Sequence, residues 1–319
     1  MDRSNQGDFR RTNGADFLQL NAAEAPAGGL AGWLTGEAAK QSNLKMQRIV
    51  FKAAKLEIKG NALPAFDSTL YLSPEHTLLR VTIDATDGRF SADIAPKETE
   101  SELSVHFKNF TLPVAVPFEI TDGSLKGTIS NGHLKVTDAD LSLYGGQVTG
   151  QATIGWDSNW TMEGEFEAKR IDLEAAMKAL RIDIASSGSL DTKVRYSMQG
   201  GSFDTLFSNP KFDSTFLVQK GDLSGIDFVR ALQSPSRDGI QGGKTKFDDL
   251  SGNLAVNGSR YTFTNMRLIA GLLSASGAGE VLPSKEINGR AYVELRSPSN
   301  VVKGGFKVSG DNKGIVLRP

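Results

Sequence analysis

The chain contains no cysteine. This excludes disulfides, thiolate nucleophiles and thiolate metal sites, and leaves the compartment open. Histidine is scarce. His76, His106 and His133 stand far apart without a partner at ligand spacing, and read as surface or sheet-edge residues rather than metal ligands. No stretch approaches the ~20 consecutive apolar residues of a membrane helix. The first 30 residues also lack a charged-then-apolar export pattern. The expectation is a soluble chain that carries neither export signal nor anchor of its own. Charge of one sign is missing too: 36 basic residues face 37 acidic ones, for a net charge of -1. The cations are scattered along polar faces instead of interleaved with aromatics, which argues against a nucleic-acid partner.

The signatures of catalysis are absent as well. No serine sits in a G-x-S-x-G elbow and there is no P-loop. Gly277-Ala-Gly279 lacks the third glycine of a dinucleotide fingerprint and does not open a helix. Asp138 with Asp140, and Asp248 with Asp249, are the tightest acidic pairs, but neither lies in a calcium loop, so they read as turn or polar-face residues. The expectation is a non-enzyme without cofactor or metal.

Glycine is what the chain has in quantity: 34 residues with no Gly-X-Y period, which points to turns. Between Pro113 and Trp156, Asp122-Gly123, Asn131-Gly132 and Gly145-Gly146 each offer a pair suited to a type I′ turn. Counting outward from these turns pairs Ile120 with Leu125, Ile129 with Leu134, Gly127 with Val136 and Leu143 with Val148. Period-two alternation then sets the apolar residues on one face of a β-meander. The hairpin Leu79–Ile94 is the most regular. Asp87-Gly88 turns it, pairing Ile83 with Ala92 and Val81 with Ile94. Leu103, Val105 and Phe107 continue the alternation, as do Trp160, Met162, Gly164, Phe166 and Ala168.

Residues 1–44 show no lasting period and read as a flexible lead-in, with Leu30, Trp33, Leu34 and Ala38 able to share one face of a short helix. Helical spacing at Leu173, Ala176, Met177 and Leu180 predicts a short amphipathic helix capped by Asp172. The second half repeats this grammar. Leu250–Leu254 before Asn257-Gly258 mirrors Leu125–Ile129 before Asn131-Gly132, and Phe216–Leu232 mirrors the strand-to-helix passage Phe166–Leu180. Ser234–Gly243 reads as an exposed Gly/Pro-rich loop. The division is thus a lead-in at 1–44, a first β portion with a terminal helix at 45–182, and a second β portion at 183–319.

The expected fold is mainly β: an extended antiparallel β-meander curved into a groove or open barrel-like trough, with a few short capping helices. A long sheet with one apolar face must hide that face. Periodicity alone leaves open a closed sandwich and a trough holding something greasy. Candidate lining residues are Val81, Ile83, Phe90, Ile129, Leu134, Val136, Leu141, Leu143, Tyr261, Phe263 and Leu268, about half of which are expected to line an open groove.

The segment Gly221-Asp-Leu-Ser-Gly-Ile-Asp-Phe228, continuing into Val229–Leu232, resembles the G-x-L-x-G-[IV]-D-L segment of AsmA-like C-terminal regions. Its motif positions are Gly221, Leu223, Gly225, Ile226, Asp227 and Phe228. Leu141–Gly150 resembles the glycine-paired strands of the same family, and the likeness spans roughly residues 45–319. The resemblance implies a periplasmic protein of the Gram-negative envelope, held at the inner membrane by an N-terminal helix that this chain lacks, and similar to bridge-like lipid-transfer proteins. It implies phospholipid acyl chains as the partner, lying in an apolar β-groove that serves outer-membrane biogenesis. The alternative is a periplasmic scaffold or assembly factor for outer-membrane proteins, acting through protein contacts. No catalytic residues come with the resemblance.

Overall fold

The computed structural model describes residues 7–12, 15–22, 46–53, 56–58, 61–112, 118–179, 186–233, 236–311 and 314–319. The helix expected around Trp33 lies outside them. The chain divides into two compact units, Met1–Ser142 and Leu143–Pro319.

In the first unit, β1 (Gly7–Thr12) and β2 (Ala15–Ala22) form an antiparallel hairpin within the stretch read as a lead-in, and β2 runs parallel to β3 (Met46–Ala53). A small separate hairpin follows, β4 (Leu56–Ile58) with β5 (Asn61–Leu63). From β3 an antiparallel ladder runs through β6 (Phe66–Leu72), β7 (Leu78–Ala85), β8 (Phe90–Pro96), β9 (Ser101–Thr111) and β10 (Glu119–Ser130). The turn at Asn131-Gly132 leads into β11 (His133–Leu143).

The second unit holds β12 (Gly146–Gly155), β13 (Trp160–Asp172), α1 (Leu173–Ala179), β14 (Ser186–Gly200), α2 (Phe203–Leu206), β15 (Lys211–Ser224), α3 (Phe228–Gln233), β16 (Ile240–Gln241), β17 (Lys244–Asn257), β18 (Arg260–Ala270), β19 (Leu273–Val281), β20 (Ile287–Arg296), β21 (Val301–Asp311) and β22 (Gly314–Arg318). Its ladder is antiparallel throughout. It runs β12-β13-β14-β15-β17-β18-β19-β20-β21-β22, with β16 on the far side of β22. Among the described pairings neither ladder returns to its first strand, so each sheet is open. The fold is the mainly-β antiparallel meander with short helices that the alternation predicts.

Several registers follow the expectation. Val81 faces Ile94 and Ile83 faces Ala92. Four local readings change. Asp122-Gly123 is no turn but lies inside β10, opposite Lys108 and Phe107. Gly123 is required there by close approach: a Cβ would stand 2.7 Å from both the Asp140 carbonyl oxygen and Leu141 Cδ2. The turn predicted at Gly145-Gly146 sits one residue earlier, at Tyr144-Gly145, where φ is 49° and 73°. Gly258-Ser259, not Asn257-Gly258, joins β17 to β18. Gly258 has φ 59° in the first central position, as a type II′ turn needs, so Leu254 faces Phe263 and Val256 faces Tyr261. Leu79 is 55% exposed because a register shift beside Tyr71 and Leu72 hands the inward position to Leu78.

The glycines reveal which way the sheets curl. At Gly127, Gly150, Gly164, Gly252, Gly277 and Gly289, an added Cβ would run into a neighbouring strand or its side chains. Paired positions place all six on the apolar face. Gly305, on the opposite face of β21, has nothing within 4 Å. Crowding on the apolar side alone means that the strands lean toward it, so that face is concave. Bulges add bend: β13, β15 and β18 each carry a non-glycine residue at positive φ (Arg170 56°, Lys220 52°, Asn265 52°) beside a register shift in the ladder. The Arg170 N–H is held by Asp191 Oδ1 at 2.7 Å.

One end of the second unit's concave face is plugged. Asp172 accepts from the Ala175 N–H at 3.0 Å and starts α1, as expected; Asp227 accepts from the Arg230 N–H at 2.9 Å and starts α3. The motif residues build this plug. Gly221 lies against the Phe247 ring, where a Cβ would be 2.5 Å from Cζ. Leu223 packs on the core cluster, and Gly225 turns the chain at φ 82°. Ile226 and Phe228 are buried, both tied to Thr245: its Oγ1 donates to the Ile226 carbonyl at 2.7 Å and accepts from the Phe228 N–H at 3.2 Å. Leu232 of α3 reaches the concave face of β21, since a Cβ on Gly304 would stand 2.9 Å from its Cδ2. Within the loop after α3, Ile240 and Gln241 form a two-residue edge strand that pairs with Leu317 and Val316. Beside the motif, Lys244 lies 2.7 Å from Asp222 Oδ2, and Asp222 Oδ1 is buried without a hydrogen-bond partner among the described residues. The Lys244 hydrogen bond, with Lys246 and Ser187 adding to it, holds the Asp222 carboxyl below the usual range.

Two outcomes are expected. Gly150→Val, whose side chain would overlap Phe166 Cα and Cβ at 2.8 Å, loses roughly 1–3 kcal/mol in urea unfolding, whereas Gly305→Val stays within about 0.5 kcal/mol of the parent. Lys244→Gln raises the Asp222 pKa, read by carboxyl NMR titration. The folded-state value is lowered, so this site stabilises above the unfolded pKa and loses that contribution as pH falls through the folded one; in the variant its share of the acid-side decline shrinks.

Candidate apolar groove

The register of the second unit lines its inward residues into rows that cross the strands. One row runs Tyr196–Phe212–Val256–Tyr261–Val281–Ile287. The next runs Phe166–Val194–Ser214–Leu254–Phe263–Gly279–Gly289–Val308. Each follows from strict alternation, since opposed residues in an antiparallel pair share a face. Polar intruders are neutralised locally. Ser214 Oγ donates to the Leu254 carbonyl at 3.2 Å, and Thr192 Oγ1 to the Thr215 carbonyl at 2.9 Å.

Burial changes along the strands. At the plugged end Val218, Leu268, Leu273, Ala275, Val293, Phe306 and Leu317 are buried together with Phe228, Ala231 and Leu232. Away from it Val256 is buried, but Met162, Val194, Tyr196, Met198, Phe212, Leu254 and Phe263 are only half-buried, and Tyr261 is 40% exposed. A sandwich interior would bury such side chains fully, as the plug does. At the end of β14 the short helix α2 folds back over Gly200, with Leu206 wholly buried. Between plug and α2 the apolar face of this unit has large side chains covered mainly by one another. Phe166 and Tyr196 meet at 6.0 Å between ring centroids, and burial pushes the Tyr196 hydroxyl pKa up.

The residues singled out from the sequence divide by unit. In the first unit Val81 and Val136 are buried, while Ile83, Phe90, Ile129, Leu134 and Leu141 are half-buried; Phe90 meets Phe110 edge-on at 5.4 Å. Its rows are equally apolar, for example Ile49–Leu70–Val81–Ile94–Leu103–Gly127. In the second unit Leu143 and Leu268 are buried, Phe263 is half-buried and Tyr261 is exposed at the strand ends. Sequence reasoning passed over β14, which supplies Val194, Tyr196 and Met198. The signal was present: Leu190, Thr192, Val194, Tyr196 and Met198 alternate strictly with charged and polar residues, but no turn dipeptide drew attention to them.

No three metal-ligating side chains come together among the described residues. His106 faces outward, and His133 Nδ1 lies 3.1 Å from the Asn131 carbonyl. Asp248 Oδ2 accepts from the Gly271 N–H and Asp249 Oδ1 from Gln219, so this acidic pair serves a turn and a polar face. Glu294, held below the usual carboxylate range by Lys303 and Arg296, is likewise part of an outward ion network.

Comparison with known proteins agrees with the motif reading. The model of the AsmA family matches residues 83–265, more than half of the chain and including β14, β15 and the plug segment. No curated protein and no solved structure matches. With an open, one-faced antiparallel sheet and a family match of this extent, the chain belongs to the AsmA family.

Proposed function

We propose that this protein holds lipid acyl chains against its concave apolar face and contributes without catalysis to phospholipid transport in envelope and outer-membrane biogenesis. The observation that carries the reading is the uncovered stretch of the second unit, where rows of large apolar side chains remain half-buried between the α3 plug and α2. An exposed apolar surface of this kind destabilises a protein in water unless something covers it. A polymethylene chain suits it, contributing about 0.8 kcal/mol for each CH₂ withdrawn from water and asking for no hydrogen bond. The floor offers few, because its backbone groups are taken by the ladder and the Ser214 and Thr192 hydroxyls by carbonyls. Family membership supports an envelope setting, with the sheet in the periplasm and inner-membrane attachment through an N-terminal helix.

The scaffold alternative, in which a partner adds a strand to the sheet edge, has less support at the C-terminal side. There the last long strand is followed by the five-residue β22, and β16 already occupies part of its outer edge.

Purification without detergent from a Gram-negative periplasm, followed by lipid extraction and mass spectrometry, tests the reading. Phospholipid is expected at about one or more per chain, falling at least tenfold in Met198→Asp and Phe212→Asp, since a buried charge outweighs the contact it replaces. Thr262→Asp on the opposite face should leave it unchanged. A lipid-free, folded parent chain overturns the reading.

A further inference from the structure

The outer face of β18–β22, opposite the apolar one, departs from an ordinary solvated surface in two ways. The first is charge. Arg290, Lys307 and Arg318 stand directly opposite one another on β20, β21 and β22, and all three are exposed. Like charges in such register repel, yet neither Arg290 nor Lys307 has an acidic partner among the described residues. The carboxylates of this face are spent elsewhere: Glu280 on Arg260 at 2.9 Å, and Glu294 on Arg296 and on Lys303 at 2.9 Å. Asp311 lies at the far end of β21, and Asp248 and Asp249 on β17 are taken by the Gly271 N–H and by Gln219.

The second is apolar surface. Apart from Leu79 and Trp156, the exposed large hydrophobics among the described residues all belong to β18–β21 and their turns. Tyr261 is part of the groove; Ile269, Leu272, Tyr292, Val301 and Val302 gather toward the other end of these strands. Leu272, 62% exposed, forms the turn between β18 and β19, and its carbonyl accepts from the Arg296 N–H at 3.0 Å. That contact brings Val301, the ladder partner of Arg296, to the same tip. Tyr292, 50% exposed, points outward between the small residues Ser276 and Gly305. From the turns inward the outer face thus reads in order: an apolar tip, then Ile269 with Lys303, then Tyr292 with Arg267, then the row of three cations.

We propose that this outer face and its turns dock on the surface of an anionic lipid bilayer, at a site separate from the concave groove. A lipid interface is layered in the same order, with hydrocarbon deepest and tyrosine and basic side chains at headgroup level. With the strands inclined to the bilayer, the Leu272 and Val301 turns dip below the headgroups and the cation row lies along the phosphates. A soluble polyanion would answer the cations but leave Leu272, Ile269 and Val301 in water. An apolar protein surface would cover those three and leave the cation row unanswered. An anionic bilayer satisfies both demands, and each cation held near it strengthens binding about fivefold.

Flotation of the full chain with phosphatidylcholine vesicles, with or without phosphatidylglycerol, tests the docking. Binding is expected with the anionic lipid alone. It should be lost as salt rises from about 0.1 M to about 1 M, which shortens the screening length from about 10 Å to about 3 Å. Lys307→Gln should weaken it about fivefold, and Arg290→Gln together with Lys307→Gln about twenty-five-fold. Met198→Asp, in the groove, should leave it unchanged, which separates docking from lipid uptake. Because the chain has no cysteine, one environment-sensitive fluorophore can be placed at will. At Leu272→Cys its emission should rise and shift to the blue on adding anionic vesicles, and at Leu79→Cys it should stay constant. Failure to float with anionic vesicles overturns the proposal, as does undiminished binding of the double variant or a silent label at residue 272. Each of these results leaves the groove reading standing.

Discussion

A Cβ has volume, and a sheet that curls toward one face must crowd the Cβ atoms on that face. Every other feature of this protein works within that constraint. Long antiparallel strands supply apolar residues at every second position, and curvature toward those residues makes the apolar face concave. Large side chains everywhere would hold the strands apart. The chain instead alternates bulk with absence: Gly164 opposite Tyr196, Gly150 opposite Phe166, Gly252 opposite Phe216. Glycine in a strand costs roughly 0.5–1 kcal/mol relative to alanine, and here that cost is offset by the rings that lie across the vacated positions. Three bulges with a residue at positive φ add local bend without adding side chains to the crowded face.

The concave face then meets the problem of any apolar surface in water, and the second unit solves half of it internally. The segment from Gly221 to Phe228 ends a strand, turns on Gly225, caps a helix with Asp227 and drops Phe228 and Leu232 onto the sheet. Thr245 fastens the joint with two hydrogen bonds in a buried position, where leaving either group unpaired would cost about 1–3 kcal/mol. Further from the plug no element of comparable size among the described residues covers the rows. The difference between buried Val218 and half-buried Val194 on neighbouring strands marks where internal packing stops.

Alternation made most of this architecture legible. The β7–β8 register, the one-faced β13 and the Asp172-capped helix all follow from residue order, because period-two pairing and N-cap chemistry are local. Turns were read less well, for one reason. Gly123 and Gly146 serve close strand approach, and their backbones are not at positive φ, yet in sequence they look the same as glycines that turn the chain. Telling the two uses apart needs the partner strand, which is a long-range fact. The same holds for the groove. Which apolar residues are sealed and which remain half-covered depends on where α2 and α3 land, and Leu268 and Phe263 on one strand differ for that reason alone.

The segment Gly221–Phe228 has a physical reason to be degenerate in sequence. A site that stabilises a reacting atom needs particular functional groups at fixed distances. A site that shapes an apolar surface needs only volumes, a glycine where φ is positive, and a side-chain oxygen to cap a helix, requirements that several residue types can meet at most positions. Of the motif, Gly221 is constrained by close approach, Gly225 by its φ of 82° and Asp227 by its capping carboxylate; Leu223, Ile226 and Phe228 are constrained by size. Such demands leave their trace as alternation and glycine placement, local patterns from which a sheet is legible.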